Sequence, residues 1–328
     1  CINPGNTNEQ VTLRPLEKKI IDDFGLSKFI VCTDAGLASE ENRRFNTRGD
    51  RSFITTQPIK KLKSFLQEWC LDGEGWLLHG SSKTYSLTDI DEEKFKDLTF
   101  YKERWINENG FEQKLIVTYS IKYRNYMETL RERQINRAEK LINTSSDKLK
   151  KASPSDCKRF IKEISCTNNG EIAEKSAYSL NHEAIQNESK YDGFYAVCTN
   201  IEDETNEIIK INKKRWEIEE CFRIMKTEFK SRPVYLSDDE RIRAHFLTCY
   251  LALVIFRLLE KKLNNEFTCE QIIDAIRNYN FLEINKKGYI PAYQGSAIYD
   301  RLHEQFGFYN DAEIVTYEQM HKIIKNNK

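Results

Sequence analysis

Charge of either sign is not in excess, because 51 Lys and Arg stand against 51 Asp and Glu and the formal net charge is zero. A DNA-binding chain more often carries a basic total, so any nucleic-acid surface here must be a local patch set against acidic surface elsewhere. The nine Cys show neither paired metal spacings nor the regular framework of a small secreted domain. That argues against a cysteine-bound metal and a disulfide scaffold, and fits reduced thiols that mostly pack. The five His nowhere have the spacing of a ligand pair. No series of charged, apolar and small residues opens the chain. The longest nearly unbroken apolar run, Phe246 to Phe256, is too short to cross a bilayer, so the expectation is a soluble protein without a membrane partner. No internal repeat is evident.

What is present is enough for a substantial core. The 328 residues include 16 Tyr and 18 Phe, and a chain of this length makes one large or two moderate domains. Val11 to Phe24 has helical apolar spacing, with Leu13, Leu16, Ile20 and Ile21 inward. Phe29 to Thr33 is a short β-rich apolar run of the kind buried in a parallel sheet, and it ends directly in Asp34-Ala35-Gly36. Asp34 therefore stands at the carboxyl end of a strand, where open α/β sheets place ligands, and Gly36 lets the chain turn sharply. A turn Asp capping the next helix is the competing reading of the same residue. Ser52 to Thr56 reads as the next strand, and Lys60, Lys61 and Lys63 come after it as a cluster suited to phosphates or to a solvated face.

From Leu71 to Asp192 the pattern is mixed, with a strand over Gln113 to Tyr119, a charged helix over Tyr123 to Ile142 and a polar link over Thr144 to Ser155. Tyr191 to Asn200 reads as a turn into a returning strand, with Asp192 a turn residue before Gly193. The segment Ile211 to Tyr235 organises the rest. On a helix, Arg215, Glu219 and Lys226 fall close together on one side, with Arg223 beside them. Ile218, Phe222, Met225 and Phe229 repeat at the spacing of a face laid against a core, which would hold Glu219 rigidly at the border of buried and polar surface. A solvated salt-bridge face is the plainer reading of the same spacing. Ser237 to Glu240 starts a further helix that runs to Leu263. It is apolar all round through much of its length and is therefore expected to be buried centrally. Shorter helices around Cys269 to Asn278 and Tyr317 to Ile324 close the chain, with Gly288 to Tyr293 an extended link.

The order Arg215, three residues, Glu219, six residues, Lys226 resembles the signature of bacterial insertion-sequence DDE transposases, whose last catalytic helix carries Tyr, Arg, Glu and Lys at fixed intervals. Asn212 stands where that signature has Tyr. Arg232-Pro233-Val234-Tyr235, then Arg241-Ile242 and Ala244-His245, are similar to the residues that come after this helix in that family. The block from Thr33 to Ser39 with Asn42 resembles its second catalytic Asp motif. The resemblance implies an RNase H-like α/β core with a mixed α+β insertion and a helical C-terminal part. Its parts are expected at residues 1–56 (first part of the core), 57–192 (insertion), 193–263 (remainder of the core with the catalytic helix) and 264–328 (helical extension).

The same resemblance implies metal-dependent DNA strand cleavage and transfer at element ends, with Asp34 and Glu219 as catalytic ligands of a two-Mg²⁺ site. Arg215, Lys226, Arg223 and Trp216 would meet DNA. The partners are then transposon-end and target DNA, with a homodimer allowed, in the cytoplasm with the nucleoid. In that family a Gly-Asn pair with a nearby Glu, here Gly5, Asn6 and Glu9, lies downstream of the first catalytic Asp. The expectation is a chain truncated within the core, lacking that Asp and inactive or nearly so alone. Its alternative is a non-catalytic DNA-binding or protein-interaction relic.

Overall fold

The computed structural model describes residues 2–26, 28–144, 156–166, 172–311 and 313–326; most of the link expected from Thr144 to Ser155 lies outside them. The chain divides into two compact units, and the division falls between Lys213 and Lys214.

The first unit runs α1 (Glu9–Phe24), β1 (Ile30–Thr33), α2 (Glu40–Phe45), β2 (Ser52–Thr56), α3 (Ser64–Leu71), β3 (Trp76–Leu78), β4 (Thr84–Tyr85), β5 (Phe100–Glu108), β6 (Phe111–Tyr119), α4 (Ile121–Thr144), β7 (Ile161–Cys166), β8 (Ile172–Leu180), α5 (His182–Ser189), β9 (Phe194–Thr199) and α6 (Thr205–Lys213). Seven of these strands form one mixed sheet in the order β1-β2-β9-β6-β5-β3-β4. β1 and β2 are parallel, with Ile30 opposite Ser52, and every other neighbour pair is antiparallel. β7 and β8 pair separately as a hairpin.

Period-two alternation sorts the sheet's side chains into two layers. Phe53, Leu115, Val117, Ala196 and Cys198 face one way and pack with Leu66 and Cys70 of α3 and with Trp76 and Phe100. Their immediate neighbours Ile54, Ile116 and Val197 face the other way, onto Ile201 and Ile208 of the α6 side. Burial pushes the Cys70 and Cys198 thiols up to about 11 and about 12, so these cysteines pack rather than react. Two lysines lie within this frame unforeseen by the pattern. Lys102 donates to the Asp72 carbonyl at 2.8 Å over the Trp76 ring, and Lys114 donates to the Asp203 carbonyl at 3.1 Å.

The second unit contains α7 (Arg215–Thr227), α8 (Asp239–Lys262), α9 (Cys269–Asn278), β10 (Phe281–Ile284), β11 (Gly288–Pro291), α10 (Ala297–Phe306) and α11 (Tyr317–Asn326). Its core joins Ile224 of α7 to Leu253, Phe256 and Leu263 around α8, to Ile272 and Ile273 of α9, and to Ile298 and Tyr299 of α10. The extended link expected after Gly288 is one arm of an antiparallel hairpin with β10. Its partner strand is short and its outward residues are exposed, which leaves little periodicity to read.

One expectation about helix faces fails and a second holds for only half of its residues. α8 is not centrally buried: Cys249, Leu253 and Phe256 are buried, whereas Leu247, Tyr250, Leu251, Ile255 and Leu258 are exposed. An apolar circumference states only that burial is possible on every side, and the partners in this unit reach one side. On α7 the inward residues are Ile224, Cys221, Met225 and, just past the helix end, Phe229, while Ile218 and Phe222 are 55% and 58% exposed. Met225 and Phe229 of the expected stripe do pack inward, and the stripe's centre is turned by roughly 50°, about half a residue step, towards Cys221 and Ile224.

Candidate active-site residues and the family they belong to

Asp34 comes directly after β1, and its carboxylate is held by the local chain. Its Oδ1 accepts the backbone N–H groups of Gly36 (2.9 Å) and Leu37 (3.2 Å), the side-chain-to-backbone turn that Asp favours. Asp34 is exposed, and its Oδ2 has no hydrogen-bond partner among the described residues, so one oxygen stays available to a ligand. The loop behind it is fastened at several points. The Thr33 hydroxyl donates to that of Thr55 at 2.8 Å, and the buried Asn42 amide donates to the carbonyls of Gln10 and Leu37. Arg43 donates to the Ala38 carbonyl and to the side chains of Gln113 and Gln57.

Gly36 does not have the left-handed backbone a sharp turn would need. Its use is room, because a Cβ there would stand 3.2 Å from Asp34 Oδ1 and 3.4 Å from Glu9 Oε2. Glu9, in the first turn of α1, thus flanks the same open space as Asp34, a neighbour that separation in sequence concealed.

Glu219 lies in the second unit, on the exposed side of α7. Its carboxylate pairs with Arg215 at 3.1 Å, with the Glu219 side chain 64% and the Arg215 side chain 19% exposed. Arg223 pairs with Glu220 at 3.5 Å. Lys226 is exposed and has no ion pair among the described residues, and Trp216 is exposed as well. The spacing therefore does bring Arg215 and Glu219 together on one face, with a free cation one turn or two along. Arg257 of α8, which no motif marked, fixes this helix from behind by donating to the Glu217 carbonyl and to Glu220 and Glu260. His245 is held at the Ser231 carbonyl, 3.2 Å away.

Asn212, at the signature's Tyr position, lies near the end of α6 in the first unit with its amide 3.5 Å from the Tyr195 hydroxyl. Asp192 is buried and its Oδ1 accepts from Arg131 at 2.6 Å, which occupies it structurally. Lys60 stands over the Tyr191 ring at 4.7 Å.

Asp34 and Glu219 each offer exposed carboxylate oxygen, the donor a hard divalent ion takes. The set is not closed, however. The acids preceding Asp34, namely Glu9, Glu17, Asp22 and Asp23, all stand on α1 rather than on a strand, and among the described residues no group of three or more His, Cys, Asp or Glu is placed to hold a metal ion.

A mixed sheet with an acid at the end of a parallel strand, and later in the chain a helix bearing Arg, Glu and Lys, fit an RNase H-like α/β domain. A family model described as the transposase DDE domain matches residues 2–255, and the chain belongs to that family of transposases. A search of curated proteins found no match.

Proposed function

We propose that this chain is the DNA-cleaving and DNA-joining part of a bacterial insertion-sequence transposase, with Asp34 and Glu219 as carboxylate ligands of Mg²⁺. The observation that carries the reading is the free oxygen of Asp34 at the carboxyl end of β1, inside the matched span that also contains Glu219. Bound at such carboxylates, Mg²⁺ supplies an activated oxygen nucleophile and a stabilised leaving 3′ oxygen. The protein's own groups do the positioning. Arg215 holds Glu219 in place and shares its positive field with the strand. Lys226 and Arg223 contact phosphates, and Trp216 offers a flat face for stacking. On this reading residues 57–192 are an insertion in the core and 264–328 a helical extension.

Among the described residues no third acid is grouped with Asp34 or Glu219 to close a metal site, and two carboxylates hold a metal pair poorly, so this chain by itself binds DNA without cutting it. The test is a fluorescence-anisotropy titration of terminal-repeat DNA across a salt series, run beside a Mg²⁺ or Mn²⁺ nicking assay on supercoiled plasmid. Binding should weaken steeply with salt, and Lys226→Ala should lower the salt slope by about one. No binding at low salt would sink the DNA reading. Robust nicking lost in Glu219→Ala would keep the ligand assignment and overturn the inactivity.

A further inference from the structure

The outward side of α8 is a surface that the strand-transfer reading does not use. Ala244, Leu247, Leu251, Val254 and Leu258 succeed one another at steps of three and four, the repeat of a two-helix seam. Leu247, Tyr250, Leu251, Val254, Ile255 and Leu258 are each between 39% and 68% exposed. Together they present on the order of 600 Å² of apolar surface, at the top of what a monomer usually shows in one patch. The inner stripe of the same helix is already engaged in the core of the second unit, so this is a second seam on one helix.

Beside it runs an apolar groove of about 370 Å³, lined by Phe229, Ile255, Ile273 and Ile276 among others. The ends of the helix differ in charge. Asp238, Asp239 and Glu240 open it and keep the first turns net negative even with Arg241 and Arg243 counted, whereas Lys261 and Lys262 make the last turn positive, Glu260 being paired with Arg257.

We propose that this seam is an interface between two copies of the chain, with α8 packed antiparallel against α8 of the second copy. A stripe at the seam repeat is complementary to itself under a two-fold axis, which is what an isologous contact requires. The antiparallel sense sets the acidic opening of each helix beside the basic end of the other, whereas the parallel sense would oppose like charges. The neighbouring groove receives the side chains that project past the seam, which brings the buried surface towards the roughly 800 Å² per partner of a stable interface.

α8 is also long and apolar enough to cross a membrane by length and composition. A bilayer is the poorer occupant, because Arg257 and Glu260 pair on this helix and Arg257 bonds to α7, and lipid would have to displace those contacts. The proposal stands independently of the metal and DNA assignments.

The test uses the full chain. Sedimentation over a concentration series should show a monomer–dimer equilibrium, and Leu251→Glu should shift it at least tenfold towards monomer, with the melting temperature unchanged at concentrations where both chains are monomeric, since Leu251 is exposed. A photo-crosslinking benzoylphenylalanine at Tyr250 decides the matter even if that variant misfolds, because the product should have twice the mass and join α8 to α8. A monomer at every concentration, a crosslink confined to one chain, an intermolecular crosslink away from α8, a dimer unmoved in a folded Leu251→Glu, or flotation with neutral phosphatidylcholine vesicles would each overturn the proposal.

Discussion

Glu17 sits in surroundings that suit its charge poorly. It is buried on α1, its Oε1 accepts from Asn46 Nδ2 at 3.0 Å, and its Oε2 and the Asn46 Oδ1 have no partner among the described residues. Burial pushes its carboxyl above the ordinary range, against the smaller opposing effect of the Asn46 bond. With the folded pKa above the unfolded one, the stability this group contributes is fully present in acid and is lost as the pH climbs through the folded value. Glu17→Gln removes the charge and lets an amide pair with Asn46 in both directions. The variant should melt higher at pH 7 by about 2–4 °C, on the order of 1 kcal/mol, with the difference vanishing near pH 4. Melts followed by circular dichroism at both pH values check it.

Arg43 tests the support of the candidate site. Its three hydrogen bonds fasten the loop after Asp34, and removing them leaves the Gln57 and Gln113 side-chain oxygens without that donor. Arg43→Ala should cost about 2–3 kcal/mol in denaturant titration and speed hydrogen exchange at the Gly36 and Leu37 amides. Asp34 and the Arg215–Glu219 pair were legible in sequence because adjacency and helical spacing are local facts. The roles of Glu9, Arg43 and Arg257 were not, because each depends on a partner far along the chain, as Arg43 does on Gln113.

At the scale of elements, short apolar runs between polar turns gave away β1, β2, β6 and β9, and long periodic stretches gave away α1, α4, α7 and α8. The facing of α7 and α8 was not legible, since a helix rich in apolar residues on several sides carries no mark of which side its neighbours occupy. The β10–β11 hairpin was hidden for a different reason. Besides its own four-residue ladder it is held by a long-range contact, in which Tyr289 exchanges both backbone hydrogen bonds with Val315 at 2.8 and 2.7 Å. Gly288 permits that approach. Its φ is +129°, and a Cβ there would stand 2.3 Å from the Val315 carbonyl oxygen. Gly288→Ala should therefore cost about 3 kcal/mol or more through strain and clash, and the loss should appear as early hydrogen exchange in β11 and around Val315.

Over the whole molecule, each of the two units has its own buried core, which predicts two calorimetric transitions rather than one. Leu66→Ala should lower one of them and Ile272→Ala the other, each by about 2–4 kcal/mol. A single transition shifted equally by both variants would contradict separate folding. The division between units was not legible in the sequence, because it falls between two helices, α6 and α7, with no Pro- or Gly-rich linker to announce it.

That join, Lys213-Lys214-Arg215, offers three consecutive tryptic bonds with a single residue between the helices. A nick there would divide the polypeptide into two pieces, one bearing Asp34 and the other Glu219, so the two proposed metal ligands would be inherited separately. Any activity of a larger assembly built on this chain would then become a matter of complementation in trans. A piece with Asp34 intact could be rescued by adding a separately made piece with Glu219 intact, and by no amount of either piece alone.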